Sequence, residues 1–495
     1  MENEEESIDA SHASAPKPST TISELLDIIG FGFFQVKLYF VVGLTYLADA
    51  MEVMIISVLG PVLQCSTWEV TKSQLAFLTT MVFLAMGITA PIWGIISDAY
   101  GRRRSIMISS ALLLVFGFFT TFSPTFTWLV ALRFLCGCCI SCLPQCITIL
   151  NEYLPSGHRG KSNIWLAFIW SFGGILITLL AWGFIPAWEY GWRLLIALCT
   201  LPVILFLSLS FLLPESLLFL AQKGRTEEVC QILDSIAKTN NKLKVLDNCQ
   251  IDFQYTNKHD EDETKNKKFL KIFQGMRQLL EHGRRTTTLI VWLIGILCAF
   301  NYYGLALFAT ELTLNEIRRG VNSTITISGC KSLTSSDYIR LLWTSSAEIP
   351  ASVITLYIMD IIGRKKTFAI NSGIFTLTLI AIVIGRESIG YNLTTVLLFL
   401  ARGSAMSYVW VYLVYVPEAY PTEIRSVAFG VASACMRIGG MITPYIAQVL
   451  MERSEFLALG VYILMGILGV IAPMLLPIET KGMDLSSPES YRLLD

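Results

Sequence analysis

The chain has 495 residues, 54% of them hydrophobic and 15% charged, with a formal net charge of −1. A soluble globular domain carries about a quarter charged residues, and a near-neutral chain has no bulk charge with which to attract nucleic acid. Four histidines, all outside the apolar stretches, and the lack of a GxxxxGK[ST] loop argue against an enzyme or an ATP-driven machine, and neither a cofactor nor a metal is expected.

The start, MENEEESIDASHASAPKPST, is acidic and polar with no apolar core. It predicts a disordered cytosolic tail, taken to residue 34, rather than a cleavable signal peptide. Beyond it about twelve apolar runs are long enough to cross a bilayer as helices. They lie near 37–61, 75–96, 105–123, 127–150, 162–185, 192–213, 287–311, 339–359, 367–385, 393–416, 426–450 and 456–477. Span 1 holds Asp49 and Glu52, three residues apart and so on one helix face. A charge at mid-membrane costs about 2.5–3.5 kcal/mol on insertion scales, which makes such residues functional candidates. Two close carboxylates do not both ionise easily, as a proton site requires.

Span 4 holds Arg133, Gln145 and a crowd of cysteines. Cys138, Cys142 and Cys146 recur every four residues, which reads as a small-residue packing stripe rather than a metal site. Trp170 of span 5, Tyr302 and Tyr303 of span 7 and Tyr408 of span 10 are candidates to stack on a planar organic substrate, with Gln145 as a hydrogen-bonding partner, or else simply to pack. Glu348 of span 8 and Arg402 of span 10 read as scaffold or gating residues. Arg437 of span 11 is a candidate substrate-binding cation, with a salt bridge across the bundle as the alternative.

The connectors carry the remaining charge. Arg102, Arg103 and Arg104, then Arg159 and Lys161, then Arg364, Lys365 and Lys366 follow even-numbered spans, as does the long segment 214–285. The positive-inside rule puts that face, and both termini, in the cytosol. Within 214–285, Val229, Ile232, Leu233 and Ile236 at helical spacing predict an amphipathic helix under the bundle. On the opposite face Asn322-Ser-Thr is a glycosylation acceptor pattern, and Cys65 and Cys330 are candidates for a disulfide. The end, ESYRLLD, overlaps an acidic dileucine pattern (Glu489, Leu493, Leu494) with a tyrosine-type pattern (Tyr491, Leu494), both of the kind read by clathrin adaptors.

Several stretches occur twice. GIISDAYGRRRS at 94–105 is echoed by LYIMDIIGRKKT at 356–367, matching Asp98, Gly101 and Arg102 with Asp360, Gly363 and Arg364 at an offset of 262. NEYLPSGHRG at 151–160 is echoed by PEAYPTEIRS at 417–426, matching Glu152 and Arg159 with Glu418 and Arg425 at an offset of 266. Gly173-Gly174 matches Gly439-Gly440, and LPES at 213–216 matches LPIET at 476–480. Echoes in one order imply two six-helix halves, 35–213 and 286–477, joined by the connector 214–285 and followed by a tail from 478 to 495. Glycine permits the tight turn. The acid can cap a helix or pair with an arginine, and the expected role of Asp98, Gly101, Arg102, Arg103, Glu152, Arg159 and their echoes is a gating latch that locks one half against the other.

The repeated GxxxDxxGRR/K turns resemble the signature of the major facilitator superfamily, over about residues 35–480. PESLLFLAQKGRTEEVCQIL, PEAYPTEIR and PIETKG resemble its sugar and organic-ion transporter branches, and IGFGFFQVKLYFVVGLTYLADAMEVMIIS, LPQCITILNEYLP and MRIGGMITPYIAQVLMERS resemble its synaptic-vesicle two-related group. That resemblance implies an all-α membrane protein of twelve helices and alternating access. It also implies an acid–arginine pair for proton coupling between spans 1 and 4, matched here by Asp49 and Arg133, with an arginine in span 11, Arg437, where substrates are anions. The helix-5 stretch lacks the proline motif of drug/proton antiporters, which favours symport or facilitated passage. The expectation is a secondary active or facilitative transporter of a small organic ion, an anion on the evidence of Arg437, in the plasma membrane or an endosomal or secretory vesicle. The alternative is a vesicle membrane protein that keeps the fold without transporting, as a regulator or trafficking scaffold.

Overall fold

The computed structural model describes residues 19–66, 68–188, 190–242, 250–251, 275–281, 283–320, 333–385, 390–421 and 424–481. The glycosylation candidate Asn322 and the sorting residues Glu489, Tyr491, Leu493 and Leu494 lie outside them. Among the described residues, twelve helices are long and apolar enough to span a bilayer: Phe33–Gln64, Lys72–Tyr100, Arg102–Thr120, Phe126–Glu152, Trp165–Phe184, Gly191–Leu212, Arg285–Leu312, Ser335–Ile362, Arg364–Ile384, Asn392–Ala419, Val427–Arg453 and Glu455–Met474. The one strand pairing there is a two-residue parallel bridge, Ser19–Thr20 with Gln250–Ile251. Side chains such as Phe211, Tyr357 and Ile384 point outward and exposed, as a lipid-facing surface requires.

Four spans expected as unbroken helices are interrupted, each near a proline, which removes a backbone donor and crowds the preceding turn. Span 4 divides into Phe126–Ile140 and Gln145–Glu152 around Pro144. Span 6 divides at Thr200, just before Pro202. Span 8 divides at Ala347, just before Pro350. Span 11 passes after Pro444 into a π-helical turn, Tyr445–Leu450.

The repeated glycines show why the halves echo each other. Span 5 lies so close to span 1 that a Cβ on Gly173 would stand 2.6 Å from Ala50 Cβ. Span 11 lies as close to span 7, where a Cβ on Gly439 would stand 2.2 Å from the Ile296 carbonyl oxygen. Small residues let membrane helices approach to backbone contact.

Both described ends, the arginine turns and the long connector share one face, here the tail face. It carries more structure than the sequence suggested. Ile22–Ile29, inside the expected tail, is a helix with a Thr21–Glu24 capping box and buried Leu25, Leu26 and Ile29. Thr226–Thr239 is a second helix, with Val229, Leu233 and Ile236 buried. Its cap residue, Asn240, accepts the Phe34 N–H at 3.1 Å and donates to Gln35 Oε1 at 2.9 Å, which ties the connector to the start of span 1.

Candidate substrate pathway and gating elements

Span 1 is the most buried helix and carries both acids at its middle. Residues three apart are offset by about 60° around the axis and about 4.5 Å along it, so Asp49 and Glu52 reach different neighbours. Glu52 turns to span 4: its Oε2 accepts from Arg133 Nη1 at 2.5 Å, with both side chains at most 2% exposed. Asp49 instead lies in the field of Arg437 of span 11, an opposing charge, and of Glu52, a like one, and its Oδ1 is buried without a hydrogen-bond partner. The expected Asp49–Arg133 pair is therefore corrected: the carboxylate on Arg133 is Glu52, and Asp49 faces the other half of the molecule.

Arg437 is half-buried and makes no ion pair within 4 Å among the described residues. Tyr303 and Tyr46 lie within its field. Span 2 closes the other side, with Gly87 placed so that a Cβ would touch Arg437 Cβ at 3.6 Å.

A second buried cluster crosses between the halves. Arg402 Nε donates to Glu348 Oε1 at 2.8 Å. The Tyr302 hydroxyl reaches both Glu348 oxygens at 3.3 Å, and Trp170 Nε1 donates to that hydroxyl at 2.8 Å. Arg402 also lies 5.9 Å from the Tyr302 ring centroid and contacts Met54 Sδ at 3.8 Å. Trp170 and Tyr302 thus belong to an ionic network that spans 5, 7, 8 and 10 share. Tyr46 packs on Trp170 at 6.1 Å and Tyr303 on Phe83 at 4.7 Å, so an aromatic wall links this cluster to Arg437.

Gln145 sits just past the break in span 4, its Oε1 buried and unpartnered. Tyr408 is not part of this assembly. Its hydroxyl donates to the Gly469 carbonyl at 3.2 Å and its ring packs on Phe368 at 4.9 Å, inside the second half. Among the described residues no group of three or more His, Cys, Asp or Glu side chains converges as metal ligands, and the span-4 cysteines are free thiols. Cys65 is disulfide-bonded, while Cys330 lies outside the described residues.

The sequence reading passed over one pair altogether. Lys72, at the start of span 2, donates to Glu311 of span 7 at 2.7 Å, with 6% and 4% of the side chains exposed. It joins the halves at the face opposite the tails. Thr80 extends the seam by donating to the Met441 carbonyl at 2.9 Å, and Phe83 packs over Gly440. Lys72 stood in an apparent loop and drew no attention, but the offset of 262 that relates the arginine turns also relates Asp49 to Glu311.

The turns at the tail face differ from the expected latch. Gly101 and Gly363 have φ of +103° and +94°, the region that disfavours side chains. Each also faces a carboxylate: a Cβ would lie 2.4 Å from Glu215 Oε2 at Gly101 and 2.9 Å from Glu479 Oε2 at Gly363. Those carboxylates cap the next span. Glu215 accepts the Arg103 N–H at 2.9 Å, and Glu479 accepts the Arg364 N–H at 2.8 Å and the Lys365 N–H at 3.1 Å. Arg102 pairs with Glu152, which also accepts from Ser216 Oγ at 2.6 Å. Arg364 pairs bidentately with Glu418 at 3.0 Å, and Thr480 Oγ1 donates to the same carboxylate at 2.7 Å. All these bonds stay within one half or join it to the segment that leaves its own last span, so the turns bind each half to itself rather than to the other. Asp98 is exposed, and Asp360 meets Arg364 at 3.0 Å. Arg425 Nε donates to the Tyr420 carbonyl at 3.3 Å, and the Arg159 side chain lies outside the described set. Glu215 and Glu479, in the repeated LPES and LPIET, are the partners the sequence reading left out.

Comparison with known proteins agrees with this fold. Residues 45–490 match the family described as sugar (and other) transporter. The chain belongs to that family, and its fold is the major facilitator fold. It is 37% identical to the Synaptic vesicle 2-related protein of Xenopus laevis over 471 residues, which is 94% of this chain and 82% of that one. It is 36% identical to the svop-1 protein of Caenorhabditis elegans, over 94% of this chain and 86% of that one. In fold it resembles a partially occluded inward-open form of the xylose transporter XylE from E. coli, with a TM-score of 0.70 at 18% identity, covering 91% of this chain and all of the other. The chain is therefore a multi-pass integral membrane protein of transporter type.

Proposed function

We propose that this protein carries a small organic anion across a membrane by alternating access, with a proton taken up at Asp49. The observation that carries the reading is Arg437: a half-buried guanidinium at the seam of the halves with no ion pair among the described residues, facing a carboxylate whose Oδ1 has no hydrogen-bond partner. A guanidinium offers a carboxylate two parallel donors. Tyr46, Tyr303, Phe83 and Trp170 offer aromatic faces to the rest of the molecule. When Asp49 is ionised it competes with the anion for Arg437. When it is protonated it releases the guanidinium, so proton and anion bind together.

Glu52–Arg133 then serves as a fixed buried pair that holds spans 1 and 4, and Glu348–Arg402 holds the aromatic wall. The tail face, rich in Lys and Arg, is the cytosolic face, and the seam at Lys72–Glu311 closes the pathway on the other side. The relatives' names favour a vesicle membrane as its place. The test is uptake of a panel of small carboxylates into proteoliposomes under an imposed pH gradient. Uptake that follows the gradient and is lost in Asp49→Asn supports the reading. Verified, correctly inserted protein that moves no member of the panel at any gradient turns the weight to a non-transporting membrane protein.

A further inference from the structure

At the tail face a cavity of about 660 Å³ opens between the first arginine turn and the helices Leu217–Gln222 and Thr226–Thr239. Its volume falls in the range of about 300–1,000 Å³ usual for small-molecule sites. It borders the membrane-spanning helices, since Ala99 and Tyr100 end span 2 and Met107 lies in the second turn of span 3.

Its charge is not balanced. Arg103, Arg104, Lys223 and Arg225 line it, against Glu215 and Glu228. Both acids are already committed. Glu215 accepts the Arg103 and Ser216 N–H groups at 2.9 and 3.0 Å, and Glu228 accepts Arg225 Nε at 2.6 Å. Three cations are left without an ion pair, against the single charge of Glu215, so the lining is positive by two. The Arg103 guanidinium reaches only the Ser210 carbonyl, at 3.3 Å, and its Nε is buried with no partner. Arg104 and Lys223 are exposed and make no ion pair among the described residues, Lys223 lying 5.9 Å from the Phe219 ring centroid. A concave site with converging unpaired cations draws anions, and a dianion with several acceptor oxygens suits it best.

We propose that this cavity binds a phosphomonoester, carried by a phospholipid headgroup of the adjoining leaflet or by a soluble phosphate ester, with Arg103, Arg104 and Lys223 as its ligands. The site is separate from the transport pathway and stands whether or not Arg437 binds an anion. An occupant would bridge the arginine turn of the first half to the connector helices.

The experiment measures binding to the purified full chain in nanodiscs. The probes are dioctanoyl phosphatidylinositol 4-phosphate, its deacylated soluble headgroup, and dioctanoyl phosphatidylcholine as the phosphodiester control. Both phosphomonoester probes should bind more tightly than the control, and added salt should weaken them. Arg104→Gln and Lys223→Gln should each weaken binding roughly 5-fold and the double variant about 30-fold, as expected for about 1 kcal/mol per cation near a headgroup. Lys366→Gln, the equivalent of Arg104 at the offset of 262, should change nothing. Tight binding of the lipid with little binding of its headgroup assigns the site to the membrane, and equal binding of both assigns it to soluble esters. Neither probe binding, or R104Q/K223Q binding as well as the parent, overturns the proposal.

Discussion

Glu311→Gln tests the closed seam most directly. It leaves the Lys72 ammonium buried beside a neutral amide in a pair now held at 2.7 Å. Removing one partner of a buried ion pair costs about 3–5 kcal/mol, because the remaining charge has lost both water and counter-charge. Lys72 escapes that penalty if the halves part at this face and water reaches it. The cost then falls mainly on the closed state and shifts the equilibrium toward the open one by roughly two to three and a half orders of magnitude at about 1.4 kcal/mol per tenfold. The assay is labelling of Thr80→Cys, a seam position whose hydroxyl now donates to Met441, by a thiol reagent that cannot cross the membrane, applied from the side of Lys72. Labelling in the Glu311→Gln background should be at least tenfold faster than in the parent. The swap Lys72→Glu with Glu311→Lys restores a pair and should return labelling toward the parental rate. Equal labelling of parent and single variant, or a swap as open as the single variant, would refute the assignment of this pair to the closure.

Four further outcomes follow from the geometry. Glu52→Gln strands Arg133 and should lower thermal stability of the purified protein by about 3–5 kcal/mol, whereas Asp49→Asn should leave melting nearly unchanged while removing the dependence of uptake on the pH gradient; the reverse pattern would restore Asp49 as the partner of Arg133. Arg437→Lys should weaken carboxylates more than neutral competitors in a binding competition, since the bidentate fork is lost though the charge is kept. Gly101→Ala should destabilise more than Gly363→Ala, because the added carbon meets its carboxylate at 2.4 rather than 2.9 Å; equal melting shifts would count against steric contact as the cause. Cys65 is disulfide-bonded, and if Cys330 is the partner that the sequence suggests, Cys330→Ser should expose one new thiol at Cys65 to maleimide.

The twelve spans and the two halves could be read from the sequence because both leave one-dimensional signals: apolar length for a helix in lipid, and a constant offset for a repeat. Breaks at Pro144, Thr200, Ala347 and Pro444 were harder to see, since proline is tolerated in membrane helices and apolar length runs across it unchanged. The candidate residues were found as types but not as pairs. Asp49 and Glu52 both stood out as buried acids, yet which of them meets Arg133 depends on about 60° of helix rotation that spacing alone does not set. Lys72 was missed for the opposite reason. In sequence it sits among turn residues, and only the approach of span 7 buries it. Tyr408 shows the limit of counting aromatics, because the same side chain serves a cavity or a core according to which way its helix faces.

The turns at the tail face bear on how such a molecule can move. Arg102–Glu152–Ser216 in one half and Arg364–Glu418–Thr480 in the other tie the ends of three spans together, and Glu215 and Glu479 cap the helix that follows each turn. Breaking either knot would strand partly buried charges, so each half is held as a unit. The hydrogen bonds and ion pairs between described residues that join the halves lie at the middle or the opposite face: Lys72–Glu311, Thr80–Met441, Trp170–Tyr302 and Arg402–Met54. Two internally stiff halves that pack along spans 2 and 11 and spans 5 and 8, joined by a short list of polar contacts, move most cheaply as rigid bodies about that seam. The energetic balance between states is then set where Lys72, Arg437 and the Glu348–Arg402 cluster meet the opposing half, and not at the repeated turns that make the family recognisable.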